Sequence, residues 1–379
     1  MRLTDRQLNR ASLARQLLLE RERLPVVDAV RRVLALQAQE PASPYLALWN
    51  RVRDFDPVEL DDAFRTFAVV KATLVRLTLH AVAAEDRAPF HAAMRPTLRA
   101  AGLYDERFRT TGLTPTDADA LVLSLVAFAH RPRDRVAIEA MLAEHLGAPP
   151  EPGLWRGLRL VAPLVHAPNA GPWAFGATPS YVAAPASPSP TDEARARTEL
   201  IRRYLAAFGP ATPRDFARYA RLRQTEVRPA FEALSDVLVV RPGPGGATLY
   251  DVPDAPLPDG DAPAPPRLLP MWDSVLLAYA DRGRVLPEPY RARVIRRNGD
   301  VLPTVLVDGY VAGVWRPVDG GVEVTAFHAL DDDAWDGVER EARVLRSLLA
   351  ERDPQAYGRF GHWWAKGLPS AQVRVLSGA

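Results

Sequence analysis

What most constrains this chain is one order of segments, helix, helix, helix and β-hairpin, that its sequence repeats. The order is clearest between two proline-rich connectors, PASPSPTDE at 185–193 and PDAPLPDGDAPAPP at 253–266, which read as exposed linkers. Between them, 193–208 carries an amphipathic helical pattern. GPATPRDFARYA follows, with Thr212 placed to cap a helix whose first position is Pro213. TEVRPAFEAL starts a further short helix at a Thr225 cap. DVLVV, the turn RPGPGGA and TLYDV then read as the two strands of a hairpin. This is the order of a winged helix-turn-helix.

Two less regular copies precede it. Residues 116–146 supply helical TDADALVLSLVAFAH and DRVAIEAMLAEHLG. GLWRGLRLVAP makes a third helix, and LVHAP, NAGPW and AFGATPSYVAA a hairpin. The N-terminal stretch offers helices over 4–23 and 25–38, then DPVELDDAFRTFAVVKATLVR, and closes on the extended RLTLHAVAA. The remainder is β-rich in ARVIRR, TVLVDGYVAGVWRPV and VEVTAFHAL, with a helix over 334–351. The sequence therefore predicts an α+β protein: winged modules at 1–113, 114–190 and 191–252, then a β-containing C-terminal domain at 267–379. One such module also serves protein contacts, but three in tandem favour duplex DNA.

A formal net charge of +2 over 379 residues argues against nucleic acid only until it is divided along the chain. Between Arg195 and Arg228 nine arginines face Glu199, Asp215 and Glu226 alone. Between Arg282 and Arg297 six face Glu288 alone. Acid collects elsewhere, at 251–261 and 319–341, so basic faces remain for phosphate. On charge alone, solvated helix faces explain these stretches equally well.

Other chemistry is thinly provided. There is no cysteine, which removes disulfides, thiolate metal sites and a thiol nucleophile. No two histidines have the i, i+4 spacing of a metal pair, GPGGA lacks the lysine of a phosphate loop, and no serine sits in a nucleophile elbow. No metal and no cofactor is expected. The polar start shows no signal peptide and no apolar run approaches the ~20 residues of a membrane span, which predicts a cytoplasmic, nucleoid-associated protein without membrane contact. Of the basic residues only Lys71 and Lys366 are lysines, leaving two candidates for any Schiff base.

One short segment stands out: LALQAQEP at 34–41. Gln37 and Gln39 are two apart, and Pro41 biases Glu40 away from helix. On a regular helix the two amides would diverge, whereas at a helix end both can turn into one cleft. Polar residues at a fraying helix end are the plainer alternative.

Here the chain resembles the tandem winged-helix DNA glycosylases that unhook interstrand crosslinks. The resemblance covers nearly the whole length and is carried by ALQAQEPASPYLALWNR (35–51), VRLTLHAV (75–82), LPMWDSVLLAYADR (269–282) and VLVDGYVAGVWRP (305–317). That family's glutamine-aliphatic-glutamine motif falls on Gln37, Ala38 and Gln39. The resemblance implies a C-shaped protein with a basic concave channel holding catalytic Gln37 and Gln39. It also implies double-stranded DNA bearing alkylated or crosslinked purines as partner, and self-resistance to an azinomycin-type alkylating product as setting.

The residues suit that chemistry. A glutamine amide cannot act as a base near pH 7, but it can hold a water and stabilise charge through its dipole. This suffices when the leaving purine is already cationic through N7-alkylation. Lys71 sits in the apolar run FAVVKATLVRL and Lys366 follows an aromatic pair, and neither falls on the family's catalytic motif. The expectation is a monomeric, monofunctional enzyme that releases the base by hydrolysis, leaves an abasic site and forms no borohydride-trapped adduct. Arg76, Thr78 and His80 share a strand face that can meet DNA or steady the glutamine loop, though a buried His80 is equally compatible. RRNGD at 296–300 carries a type I′ signal in Asn298–Gly299, offering Arg296 and Arg297 to a groove or to phosphates. Arg316 is a weaker phosphate candidate. Asp273, Asp281 and Arg282 read as structural ion pairs and Trp315 as core. The competing function is a non-catalytic winged-helix regulator with incidental glutamines.

Overall fold

A computed structural model describes residues 2–185 and 192–377. Helix Asp5–Arg15 begins at a capping box, Thr4 with Gln7, and buries two arginines alongside Leu8, Ala11 and Leu13. Arg10 reaches Asp308, and Arg15 grips Asp251 at 2.7 and 3.0 Å, so this helix ties the C-terminal sheet to the chain around residue 250.

Three times the chain then runs helix, short strand, two helices and hairpin. The first copy has helices Val26–Arg32, Ala42–Trp49 and Pro57–Arg65 and strands Leu36–Gln37, Val69–Thr73 and Leu79–Ala83. The second has helices Pro115–Phe128, Arg135–Leu146 and Pro152–Val161 and strands Arg133–Asp134, Leu164–Ala167 and Ser180–Ala183. The third has helices Glu193–Phe208, Pro213–Ala220 and Gln224–Glu232, the single bridge at Ala211, and strands Val239–Pro242 and Thr248–Asp251. In each copy the short strand or bridge pairs antiparallel with the last strand: Leu36 with Ala81, Arg133 with Tyr181, Ala211 with Tyr250. The first two hairpins join edge to edge where Lys71 meets His166, making one six-stranded sheet.

Local chemistry explains most element boundaries. Thr212 accepts from the Asp215 amide with Pro213 at the first helical position, as the sequence indicates. The next helix starts at Gln224 with Arg223 as its cap, so Thr225 lies inside it. The N-terminal helices stop well short of the expected 4–23 and 25–38. Leu17 and Leu34 adopt left-handed φ of 56° and 77°, which ends each helix and turns the chain. Leu34 thereby swings Leu36–Gln37 into a strand.

Downstream, Arg267–Leu269, Thr304–Val307, Tyr310–Val318, Gly321–Ala326 and Gln372–Leu376 form a five-stranded antiparallel sheet, backed by helix Asp332–Arg352. Trp315 lies in its core and donates to the Leu269 carbonyl at 2.8 Å. ARVIRR, expected as a strand, is instead the end of helix Glu288–Val294 and the turn after it. One apolar core runs from Leu46 and Phe64 to Leu268 and Trp315, joining the first copy to this sheet. Among the described residues no helix is long and apolar enough to cross a membrane.

Candidate active site

The pairing of the six-stranded sheet sorts the site residues by face. Side chains directly opposite one another share a face. Leu36, Ala81, Lys71, His166 and Tyr181 form one such row across the strands. Gln37, His80 and Ala72 form the neighbouring row, which points the other way.

Lys71, His166 and Tyr181 of the first row face a cleft of about 690 Å³. Lys71, His166, Tyr181 and Thr73 line it from the sheet, Arg156 and Arg159 from helix Pro152–Val161, and Gln39, Glu40 and Thr78 from the rim. Gln39 is exposed, whereas Gln37 is 5% exposed. Gln37 instead borders a residual space of about 10 Å³ shared with Ser43, Arg51 and Asp273. The expectation that both amides turn into one cleft is therefore not met, because strand pairing with His80 directs Gln37 inward. The two remain coupled: the Gln37 Oε1 accepts from the Gln39 backbone N–H at 2.7 Å. Gln37 thus fixes the bend that presents Gln39.

His80, expected as a DNA contact, is wholly buried and cannot reach a phosphate. Its Nε2 lies 3.1 Å from Arg76 Nη2 and its Nδ1 3.0 Å from the Thr78 carbonyl. An arginine only donates and a carbonyl only accepts, so the ring is neutral with its proton on Nδ1. Burial and the Arg76 charge push this imidazole down to about 3. Arg76 is drawn off the expected face as well. It and Leu77 hold left-handed φ of 55° and 60° in the hairpin turn, and its guanidinium packs over Tyr219, 5.1 Å from the ring centre. Thr78 alone of that trio borders the cleft.

The remaining candidates lie on the C-terminal sheet and its turns. Arg316 is held bidentately by Glu323 at 3.0 and 2.7 Å, which occupies the guanidinium expected to meet phosphate. Arg296 donates to the Ala292 and Arg293 carbonyls and stacks over Trp363, leaving exposed Arg297 as the free arginine of its turn. That turn is not type I′. The Gly299 N–H returns to the Arg296 carbonyl and Gly299 itself takes φ +92°, as in a type I turn followed by a bulge.

Sequence reasoning weighed Lys71 only as a Schiff-base candidate and passed over Arg156, Arg159 and His166. The available signal was a lysine and a histidine each alone within an apolar strand, FAVVKATLV and LVHAP. Burial pushes the Lys71 amine down to about 8, and burial with Lys71 and Arg159 pushes His166 down to about 3. Among the described residues no three His, Asp or Glu side chains gather as a metal set would.

A family model described as DNA glycosylase AlkZ-like matches residues 30–348. The chain belongs to the AlkZ-like DNA glycosylase family. An interstrand DNA cross-link repair glycosylase of Streptomyces sahachiroi is 29% identical over 377 residues, covering 93% of this chain and 99% of that protein. The solved structure of Streptomyces sahachiroi DNA glycosylase AlkZ matches with a TM-score of 0.76 at 22% identity, over 92% of this chain and 97% of that one, which establishes a shared fold. In this AlkZ-like chain the conspicuous glutamine pair is split, with Gln37 buried and Gln39 exposed at the cleft.

Proposed function

We propose that the protein is a monofunctional DNA glycosylase that hydrolyses the N-glycosidic bond of N7-alkylated purines, unhooks interstrand crosslinks and leaves an abasic site. The observation that carries this reading is Gln39: a neutral amide at the rim of an open, cation-lined cleft, its backbone pinned by Gln37. The thrice-repeated segment order supports three winged modules, at 1–113, 114–190 and 191–252, followed by the domain at 267–379. Around a C-shaped channel such modules approach a sugar without extruding its base, which a base tethered to the opposite strand requires. The relative's name, cross-link repair glycosylase, supports the same substrate class. Self-resistance to an azinomycin-type product is the biological setting we favour, with a cytoplasmic monomer acting on chromosomal DNA.

In this reading Gln39 places a water beneath the anomeric carbon, its carbonyl accepting from that water, while the amide dipole steadies developing charge. Departure of an N7-alkylpurine neutralises its own positive charge, so no protonating acid is needed. Gln37 acts through Gln39, by holding the bend. The test is a duplex carrying 7-methylguanine. Gln39→Ala is expected to lower single-turnover base release about a hundredfold while duplex binding persists. Gln37→Ala is expected to lower release through a looser loop. Unchanged release in Gln39→Ala, or wild-type release of uracil as fast as 7-methylguanine, sinks the proposal.

A further inference from the structure

The cleft holds more positive charge than the protein itself answers. Lys71 is 5% exposed yet has no acid partner among the described residues, its ammonium resting 4.4 Å from the centre of the Phe175 ring. Arg156 and Arg159 likewise have no carboxylate, and the Arg156 Nε is buried without any partner. Glu40 is the one carboxylate among the described lining residues, and Arg359 already holds it. Two separate elements, a sheet strand and helix Pro152–Val161, thus direct uncompensated cations into one space. Burying an unpaired charge is costly, which bears on Lys71 and on the Arg156 Nε, while Arg159 stands exposed at the edge of the same space, and an anion from outside would answer all three.

We propose that Lys71, Arg156 and Arg159 form a subsite for one backbone phosphate at the lesion, holding the damaged strand against Gln39. The assignment rests on DNA being the substrate, and it concerns binding rather than base release. A phosphodiester fits because it brings a full negative charge with several acceptor oxygens, and a lysine meets it as a point charge beside arginine forks. The aromatic face under Lys71 favours its protonated form. The groups facing it are Arg156, Arg159, the Arg359–Glu40 pair, neutral His166 and Tyr181. A bound phosphate opposes the desolvation that lowers the Lys71 amine to about 8 in the free protein. Binding therefore takes up protons, and affinity falls as pH rises from 7 to 9.

The experiment uses duplexes with a tetrahydrofuran abasic analogue, which has no glycosidic bond to cut. Its outcome is therefore separate from that of the glycosylase assay. Single methylphosphonates, each removing one phosphate charge, are placed around the analogue. For the wild type, one position is expected to weaken binding about tenfold, whereas Lys71→Met binds weakly and loses nothing further there. Lys71→Arg, as a folding control, retains sensitivity at that position and loses the pH dependence between 7 and 9. If Lys71→Met stays as sensitive as the wild type at every position, the proposal is overturned. A borohydride-trapped adduct mapped to Lys71 on a true abasic duplex also overturns it, by making the amine a nucleophile instead.

Discussion

Asp273→Ala is expected to destabilise the protein by about 3–5 kcal/mol, the cost of breaking a buried ion pair from one side. Arg51 and Asp273 are each 1% exposed and meet through two bonds of 2.9 and 2.8 Å. Arg51 also donates to the Ala47 carbonyl at the end of helix Ala42–Trp49, and Asp273 accepts from the Val275 N–H. Removing the carboxylate leaves a guanidinium sealed from water with no counter-charge. Removing both charges is different, because well-packed apolar side chains often replace a buried pair without loss. Arg51→Met with Asp273→Leu should recover most of the deficit. Urea unfolding of the wild type, Arg51→Met, Asp273→Leu and the double variant gives the coupling directly. A single variant within 1 kcal/mol of wild type would show that water or a neighbour compensates Arg51. The pair borders the residual space behind Gln37, so both single variants should also slow base release by freeing that side chain.

This pair explains why two distant stretches of sequence, ALQAQEPASPYLALWNR and LPMWDSVLLAYADR, stand out together. Each contributes one charge to the contact, and Ser274 adds a bond to the Ala35 carbonyl ahead of the glutamines. That Asp273 is structural was legible, since an isolated aspartate among apolar residues needs a cation. Which cation was not, because the partner lies outside any local pattern. Several local devices were legible, since the Thr212–Pro213 cap, the GPGGA hairpin turn and the core position of Trp315 all follow from nearby residues, whereas the Thr225 cap and the type I′ turn at Asn298–Gly299 did not hold. The face taken by Gln37 was not, because it depends on Leu34 adopting a left-handed turn and on register against His80. Lys71 was hidden by its own apolar neighbours, and its cleft exists only where two hairpins from different copies meet at His166. Arg316 is the intermediate case. Glu323 lies directly across the hairpin closed by Asp319–Gly320–Gly321, so that pairing was available from the turn.

His80 leads to the second large expected effect, a loss of stability in mild acid. Its folded value near 3 lies below the ordinary 6.5, so above pH 6.5 neither the folded nor the unfolded ring is protonated. Between 6.5 and about 3 the unfolded chain takes up a proton that the native ring refuses. The stability His80 contributes is therefore intact above 6.5 and is lost as pH falls through that window. From pH 6.5 to 5 the loss is about 2 kcal/mol for one such ring. His91 and His166, both also pushed down to about 3, act in the same direction. Urea unfolding at pH 7.0, 6.0 and 5.0 should show a steady fall, and His80→Gln should flatten it by close to one proton whatever its stability at pH 7. A wild-type stability that is level from 6.5 to 5 would refute the assignment of neutral, buried rings. The neutral ring also matters to the cleft, because its Nε2 is the acceptor that Arg76 binds. That contact braces the left-handed turn at Arg76–Leu77, and Leu77 and Thr78 line the cleft wall. Because the native ring stays neutral down to about pH 3, the brace should hold for as long as the protein is folded, and DNA binding lost in mild acid should track unfolding rather than precede it.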